Sequence, residues 1–166
     1  MNQMRFRGWM LAALVLCASV PAAVAQFSLV ASPDVSYVPQ LGEIMTMVQL
    51  RHLKLYFAGK ARNWDLASYE LQQLRASLVE AALLYSGIPV SNVTTMAEPL
   101  QQVGGAIKKK DGRRFANAVA RLTDGCNACH QSMNRGFIVM RLPTEQPFSD
   151  QVFSPRKSRE ATSGGR

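Results

Sequence analysis

The stretch with the most specific chemistry is Cys126-Asn127-Ala128-Cys129-His130, which reads C-x-x-C-H. This spacing is the signature of covalent c-type haem attachment, because each thiol adds to one vinyl group of the porphyrin and the adjacent imidazole reaches the iron. It predicts one haem c bound through Cys126 and Cys129. His130 is then the expected fifth iron ligand, with its other ring nitrogen free to hydrogen-bond a backbone carbonyl.

The two thiols have three possible roles other than haem attachment. A redox dithiol normally follows a strand at the start of a helix, whereas residues 115–122 before this motif have the pattern of a helix interior. A zinc site would need His52 as a further ligand, since Cys17 lies in the leader, and the spacing would be unusual. A short-loop disulfide is the third alternative. The exported context described next favours haem.

Residues 1–25 have the pattern of a cleaved Sec signal peptide. Arg5 and Arg7 precede an apolar run from Trp9 to Val20, and Ala23-Val24-Ala25 supplies a small-x-small cleavage site. The apolar run of 12 residues is shorter than the about 20 that a membrane-spanning helix needs. We therefore expect a periplasmic protein with no membrane span in the mature chain.

The charge balance is moderately basic. The full chain has 19 Lys and Arg residues against 11 Asp and Glu, and removal of Arg5 and Arg7 lowers the net charge from +8 to +6. Such a surface suits an acidic redox partner or an anionic membrane surface, and it is equally typical of ordinary solubility charge. The basic residues are scattered and no nucleic-acid-binding motif is present, so we expect no nucleic-acid partner.

The residues after the leader predict one all-α domain. Residues 26–40 form an extended lead-in, and apolar residues at helical spacing then mark a first helix over about 41–61. Asn63 is the expected N-cap of helix two and Gly87 its left-handed C-cap. Helix three is expected to begin at Thr95, through a capping box, or at Pro99.

Helix four is expected to open at Asp111 or Gly112 and to end at Gly136, so that the motif lies on its buried face. Four amphipathic helices with short loops predict an antiparallel up-down-up-down four-helix bundle over residues 41–136. An extended apolar tail, residues 137–155, is expected to pack on the bundle near the haem edge. Residues 156–166 are expected to form a disordered basic tail.

This arrangement brings the end of helix four close to the start of helices one and three. Met45 and His52 lie on the core face of helix one and are candidates for the sixth iron ligand. A Met45 thioether would raise the potential, whereas His52 would give bis-histidine iron of lower potential. Met96, or no protein ligand, is the remaining alternative.

An export signal, four helices and a single C-x-x-C-H near the end of the fourth resemble the cytochrome c′ group of class II c-type cytochromes, over residues 41–136. The specific match is Cys126, Cys129 and His130. The resemblance implies a periplasmic monohaem bundle, often a homodimer through its first two helices, whose sixth iron position is apolar or methionine.

The chain departs from that family in two places. Met133 and Asn134 stand where the family usually carries an aromatic residue and an arginine, and Arg135 comes one place late. Arg135 is a candidate partner of a haem propionate. The tail after residue 136 has no counterpart in the family.

The expected function is that of an electron carrier between redox partner proteins, without catalysis. No Ser-His-acid set can be assembled from two histidines. The alternative is a five-coordinate haem protein that binds nitric oxide or carbon monoxide, as the resemblance also implies. A third hypothesis, suggested by the apolar tail, is a helical interaction subunit in which the haem is secondary.

Overall fold

The computed structural model describes residues 37–156, and within this range the chain forms four α-helices and no strand. They are α1 (Leu41–Lys60), α2 (Trp64–Leu84), α3 (Val90–Lys108) and α4 (Gly112–Ser132). The all-α prediction with four helices is confirmed. The predicted signal peptide, most of the predicted lead-in, and all but the first residue of the predicted disordered tail, 156–166, lie outside the described residues.

Local capping chemistry explains where these helices begin. Asn63 Oδ1 accepts from the backbone N–H of Leu66 at 3.2 Å, and Asp111 Oδ1 accepts from the N–H groups of Arg113 and Arg114. These bonds satisfy donors that the first helical turn leaves without a partner. The N-cap predicted for α2 is therefore confirmed, and α4 begins at Gly112, one of the two predicted positions.

The predicted start of helix three is wrong. The structure begins α3 at Val90, after Pro89 as N-cap, and Pro99 lies inside the helix. An interior proline costs about 3 kcal/mol because it removes a backbone hydrogen bond and crowds the preceding turn. The first two turns are held nevertheless, because Asn92 and Met96 continue the buried stripe of Leu100 and Val103 toward the N-terminus.

The left-handed cap predicted at Gly87 is wrong, because Gly87 does not have a positive φ. The predicted end of helix four at Gly136 is also wrong, since α4 ends at Ser132, four residues earlier. The left-handed residue beyond α4 is Asn134, with a φ of 57°. Asparagine tolerates this conformation better than most non-glycine residues, and here it turns the chain back toward α4.

Cross-helix contacts run in opposite chain order, as between antiparallel neighbours. From α1 to α4, Gly59 packs on Phe115 and His52 reaches Thr123. From α3 to α4, Met96 packs on Gly125 and Asn92 contacts Ser132. The most extensive packing is between α1 and α2 and between α3 and α4. All four helices contribute to one core, which includes Leu55, Leu74, Val103 and Leu122.

Residues 133–156 form no helix and cross the bundle surface. Phe153 is buried in the core cluster, and Met140, Leu142 and Phe148 pack against that cluster. Phe137, Ile138 and Val139 are exposed instead. The first apolar residues of the tail therefore do not hold it in place by burial. Among the described residues, no helix is both long and apolar enough to cross a membrane.

Candidate haem-binding site

One cavity of about 310 Å³ receives side chains from all four helices. Cys126, Cys129 and His130 line it from α4, and most of the remaining wall is apolar. Met45 and Val48 come from α1, Leu78 and Ala81 from α2, and Met96 and Leu100 from α3. This volume and this apolar lining are typical of cofactor sites. The structure thus brings all three motif side chains to a single apolar cavity.

The two thiols are neutral in this environment. Burial raises the pKa of the Cys126 thiol to about 11 and also raises the pKa of the Cys129 thiol. Redox-active cysteines in dithiol oxidoreductases have a lowered pKa, because the thiolate is the nucleophile. Both cysteines are free and lie three positions apart within α4, not at its start. These features oppose the redox-dithiol alternative and suit two thiols directed to a bound group.

The tautomer of His130 follows from its hydrogen bond. Nδ1 lies 2.7 Å from the backbone carbonyl oxygen of Ile138. A carbonyl can only accept, so Nδ1 carries the hydrogen and donates it. In the neutral ring the lone pair is then on Nε2, the nitrogen available to a metal.

Two methionines line the same cavity. Met45 is half-buried on α1, and Met96 is buried on α3. The Met96 sulfur would lie 3.0 Å from a Cβ placed on Gly125, so the glycine before Cys126 leaves room for this side chain. Met45 and Met96 were both candidates from the sequence, and the structure places both with the motif.

His52 is not among the residues that line the cavity. It is 1 % exposed, and its Nε2 lies 2.8 Å from Thr123 Oγ1. The Thr123 hydroxyl donates to the carbonyl of Val119, so His52 Nε2 carries the hydrogen and Thr123 accepts it. Burial lowers the pKa of His52 to about 4, which keeps the ring neutral at pH 7. The structure thus places His52 in the core, apart from His130.

Polar groups around the cavity include one that the sequence did not reveal. Arg135 is exposed, does not line the cavity and donates to the carbonyl of Asn134. Asn92 does line it: its side-chain amide lies 3.0 Å from Ser132 Oγ, and the other polar atom of that amide is buried without a partner among the described residues. A buried polar atom without a partner is costly. Asn92 therefore leaves a hydrogen-bonding position open toward whatever fills the cavity.

No cluster of three or more His, Cys, Asp or Glu side chains able to hold a metal ion occurs within residues 37–156. The predicted zinc alternative thus has no ligand set in this part of the chain.

Comparisons with models of protein families, with curated proteins and with solved structures find no match to this chain.

Haem fits the residues that are present. The cavity offers two thiols at thioether spacing, an imidazole with its lone pair on Nε2, and two thioether sulfurs. Its walls are apolar, as the porphyrin faces require. The buried amide of Asn92 adds one unsatisfied polar atom to this lining.

Proposed function

We propose that this chain is an exported monohaem c-type cytochrome that carries electrons between redox partner proteins. The observation that supports this most directly is the convergence of Cys126, Cys129 and His130 on one apolar cavity. A C-x-x-C-H whose side chains pointed apart would not support attachment. The proposal extends the resemblance to the cytochrome c′ group, which rests on the motif and on four helices.

The chain's own residues would hold the cofactor by three kinds of contact. Each thiol, Cys126 and Cys129, would add its S–H across one vinyl group: the S–H bond and the C=C π bond would break, a C–S and a C–H bond would form, and there would be no leaving group. His130 Nε2 would be the fifth ligand, and the Asn92 amide would hydrogen-bond a polar group of the cofactor. Haem bound there would supply a one-electron Fe(III)/Fe(II) couple, and the apolar walls would keep water from it.

For the sixth ligand we propose Met45. His130 would hold the iron from α4, and a ligand from a different helix would complete the site. Met96 is packed against Gly125 of α4 itself, whereas Met45 reaches the cavity from α1. His52 is held by Thr123 in the core. A thioether ligand raises the reduction potential and gives low-spin iron, which suits an electron carrier.

Optical spectra test this assignment. The protein is produced with its leader in cells that mature c-type cytochromes, and spectra of the reduced form are recorded with and without carbon monoxide. We expect sharp low-spin bands that the gas leaves unchanged. Met45→Ala is expected to give a high-spin spectrum that shifts with carbon monoxide, while the matched variant Met96→Ala and His52→Gln remain low-spin.

A broad high-spin spectrum of the unaltered protein that shifts with carbon monoxide would refute the electron-carrier proposal. It would support the five-coordinate alternative, a protein that binds nitric oxide or carbon monoxide. If Met45→Ala keeps the low-spin bands and either Met96→Ala or His52→Gln loses them, the electron-carrier proposal stands. The sixth ligand is then the residue whose substitution removes the bands.

A further inference from the structure

The segment Arg135–Leu142, here called the strap, returns along the C-terminal turns of α4. The N–H of Arg135 donates to the carbonyl of His130 at 2.7 Å, and the N–H of Ile138 donates to the carbonyl of Arg135 at 2.8 Å. The strap thus reverses direction directly after α4 and lies beside it.

Asn127 binds the strap by a pair of hydrogen bonds. Its Nδ2 donates to the carbonyl of Met140 at 3.0 Å, and its Oδ1 accepts from the N–H of Met140 at 2.7 Å. The orientation of the amide is unambiguous, because a backbone N–H can only donate and a carbonyl can only accept. A primary amide satisfies both groups of one residue, as a paired strand would.

This pair lies one helical turn from the hydrogen bond of His130. Asn127 and His130 are three positions apart and share a face of α4. They bind strap residues two apart, Met140 and Ile138, in the opposite chain order. Fixing Met140 therefore fixes the position of the Ile138 carbonyl, which accepts from His130 Nδ1.

Burial does not account for the position of Ile138. Its side chain is 46 % exposed, and its neighbours Phe137 and Val139 are 79 % and 73 % exposed. Apolar packing begins only at Met140 and Leu142. Thioether chemistry likewise places no demand on the residue after the first cysteine, so the asparagine at position 127 needs another explanation.

We propose that Asn127 is a positioning residue for the iron ligand. By holding Met140 it keeps the Ile138 carbonyl on His130 Nδ1, which fixes the ring with its lone pair on Nε2. A ligand histidine that donates from its second nitrogen is a better electron donor and stabilises ferric iron. This inference rests on the proposed haem site and adds a role for the tail.

The test compares Asn127→Ala with Asn117→Ala, the same change at an exposed position of α4, both in haem-loaded protein. In Asn127→Ala we expect haem to stay attached, and hydrogen exchange around Met140 to become about tenfold faster. At a fixed ambient potential we expect the reduced-to-oxidised ratio to rise about tenfold. Asn117→Ala should match the unaltered protein in both measurements.

A mass measurement separates this inference from the function on which it rests. If the unaltered protein carries no haem, the proposed function fails, and with it any role toward iron. If haem is attached but the two variants have the same reduction potential, the inference alone is overturned. Faster exchange around Met140 without a change in potential also overturns it, since that would show a purely structural contact.

Discussion

The two ends of the bundle differ in how closely the helices meet. At the closed end, Gly59 of α1 lies against the ring of Phe115 at the start of α4, and Trp64 meets the same ring edge-on with centroids 5.9 Å apart. At the open end, the other halves of the same helices line the cavity that holds Cys126 and His130. The same helices are therefore tightly packed at one end of the bundle and leave a cavity for a ligand at the other.

Polar groups follow the same division. In the core, His52 Nε2 donates to the Thr123 hydroxyl, and that hydroxyl donates to the carbonyl of Val119. Neither side chain is left with a donor that lacks an acceptor. At the open end, the amide of Asn92 has one buried polar atom without a partner among the described residues. Unsatisfied polarity therefore occurs where a ligand is expected.

The largest effect is a loss of folding stability at low pH, caused by the buried side chain of His52. Burial lowers the pKa of His52 to about 4, from an ordinary value of 6.5, so the unfolded chain binds a proton that the folded chain refuses. Protonation of the unfolded chain therefore leaves the free energy of unfolding unchanged above pH 6.5. It lowers that free energy by about 3 kcal/mol as the pH falls from 6.5 to 4. Urea unfolding at pH 7 and pH 4 measures it.

His52→Gln is the control, because glutamine keeps an N–H donor for Thr123 and does not titrate in this range. Its free energy of unfolding should fall less between pH 7 and pH 4 than that of the unaltered protein. Equal pH dependence of the two proteins would show that His52 is not held neutral by burial.

A methyl group added at the closed end should destabilise the fold. In Gly59→Ala the new Cβ would overlap the Phe115 ring, which Trp64 holds from another side. Overpacking of this kind costs about 1–3 kcal/mol, and we expect thermal unfolding to shift down accordingly. An unchanged melting temperature would mean that Phe115 can move away, and that the closed end is less tightly packed than described.

The matched change at the open end should have the smallest effect. A Cβ on Gly125 would lie 3.0 Å from the sulfur of Met96, the flexible end of a side chain beside the cavity, and at an ordinary contact distance of 3.9 Å from Pro99 Cγ. Alanine is also favoured over glycine in a helix interior by about 1 kcal/mol. Gly125→Ala should therefore leave stability within about 1 kcal/mol of the unaltered protein. A loss as large as that of Gly59→Ala would erase the proposed difference between the two ends.

The sequence predicted those features that depend on local chemistry. Asn63 and Asp111 cap the helices as their side chains require, and the buried stripes of α1, α2 and α4 follow from helical spacing. The expected convergence of Met45 and Met96 on the motif also followed from helix lengths and antiparallel order. The structure places both at the cavity.

What the sequence did not reveal depends on contacts between distant residues. Pro99 indicated a later helix start, but burial of Asn92 and Met96 outweighs the cost of the proline. No residue close to Gly59 in the sequence indicates that the ring of Phe115 packs against this glycine. The role of Asn127 depends on where the tail returns, and a segment without helical period gives no register from which Met140 could be chosen.

Intact mass shows whether haem is covalently bound through Cys126 and Cys129. The protein is secreted from cells that mature c-type cytochromes, beside a variant with both cysteines changed to serine. We expect the mass of the processed polypeptide plus one haem that acid-acetone does not extract, and the mass of the bare polypeptide for the variant. A mass equal to the bare polypeptide in the unaltered protein would contradict it.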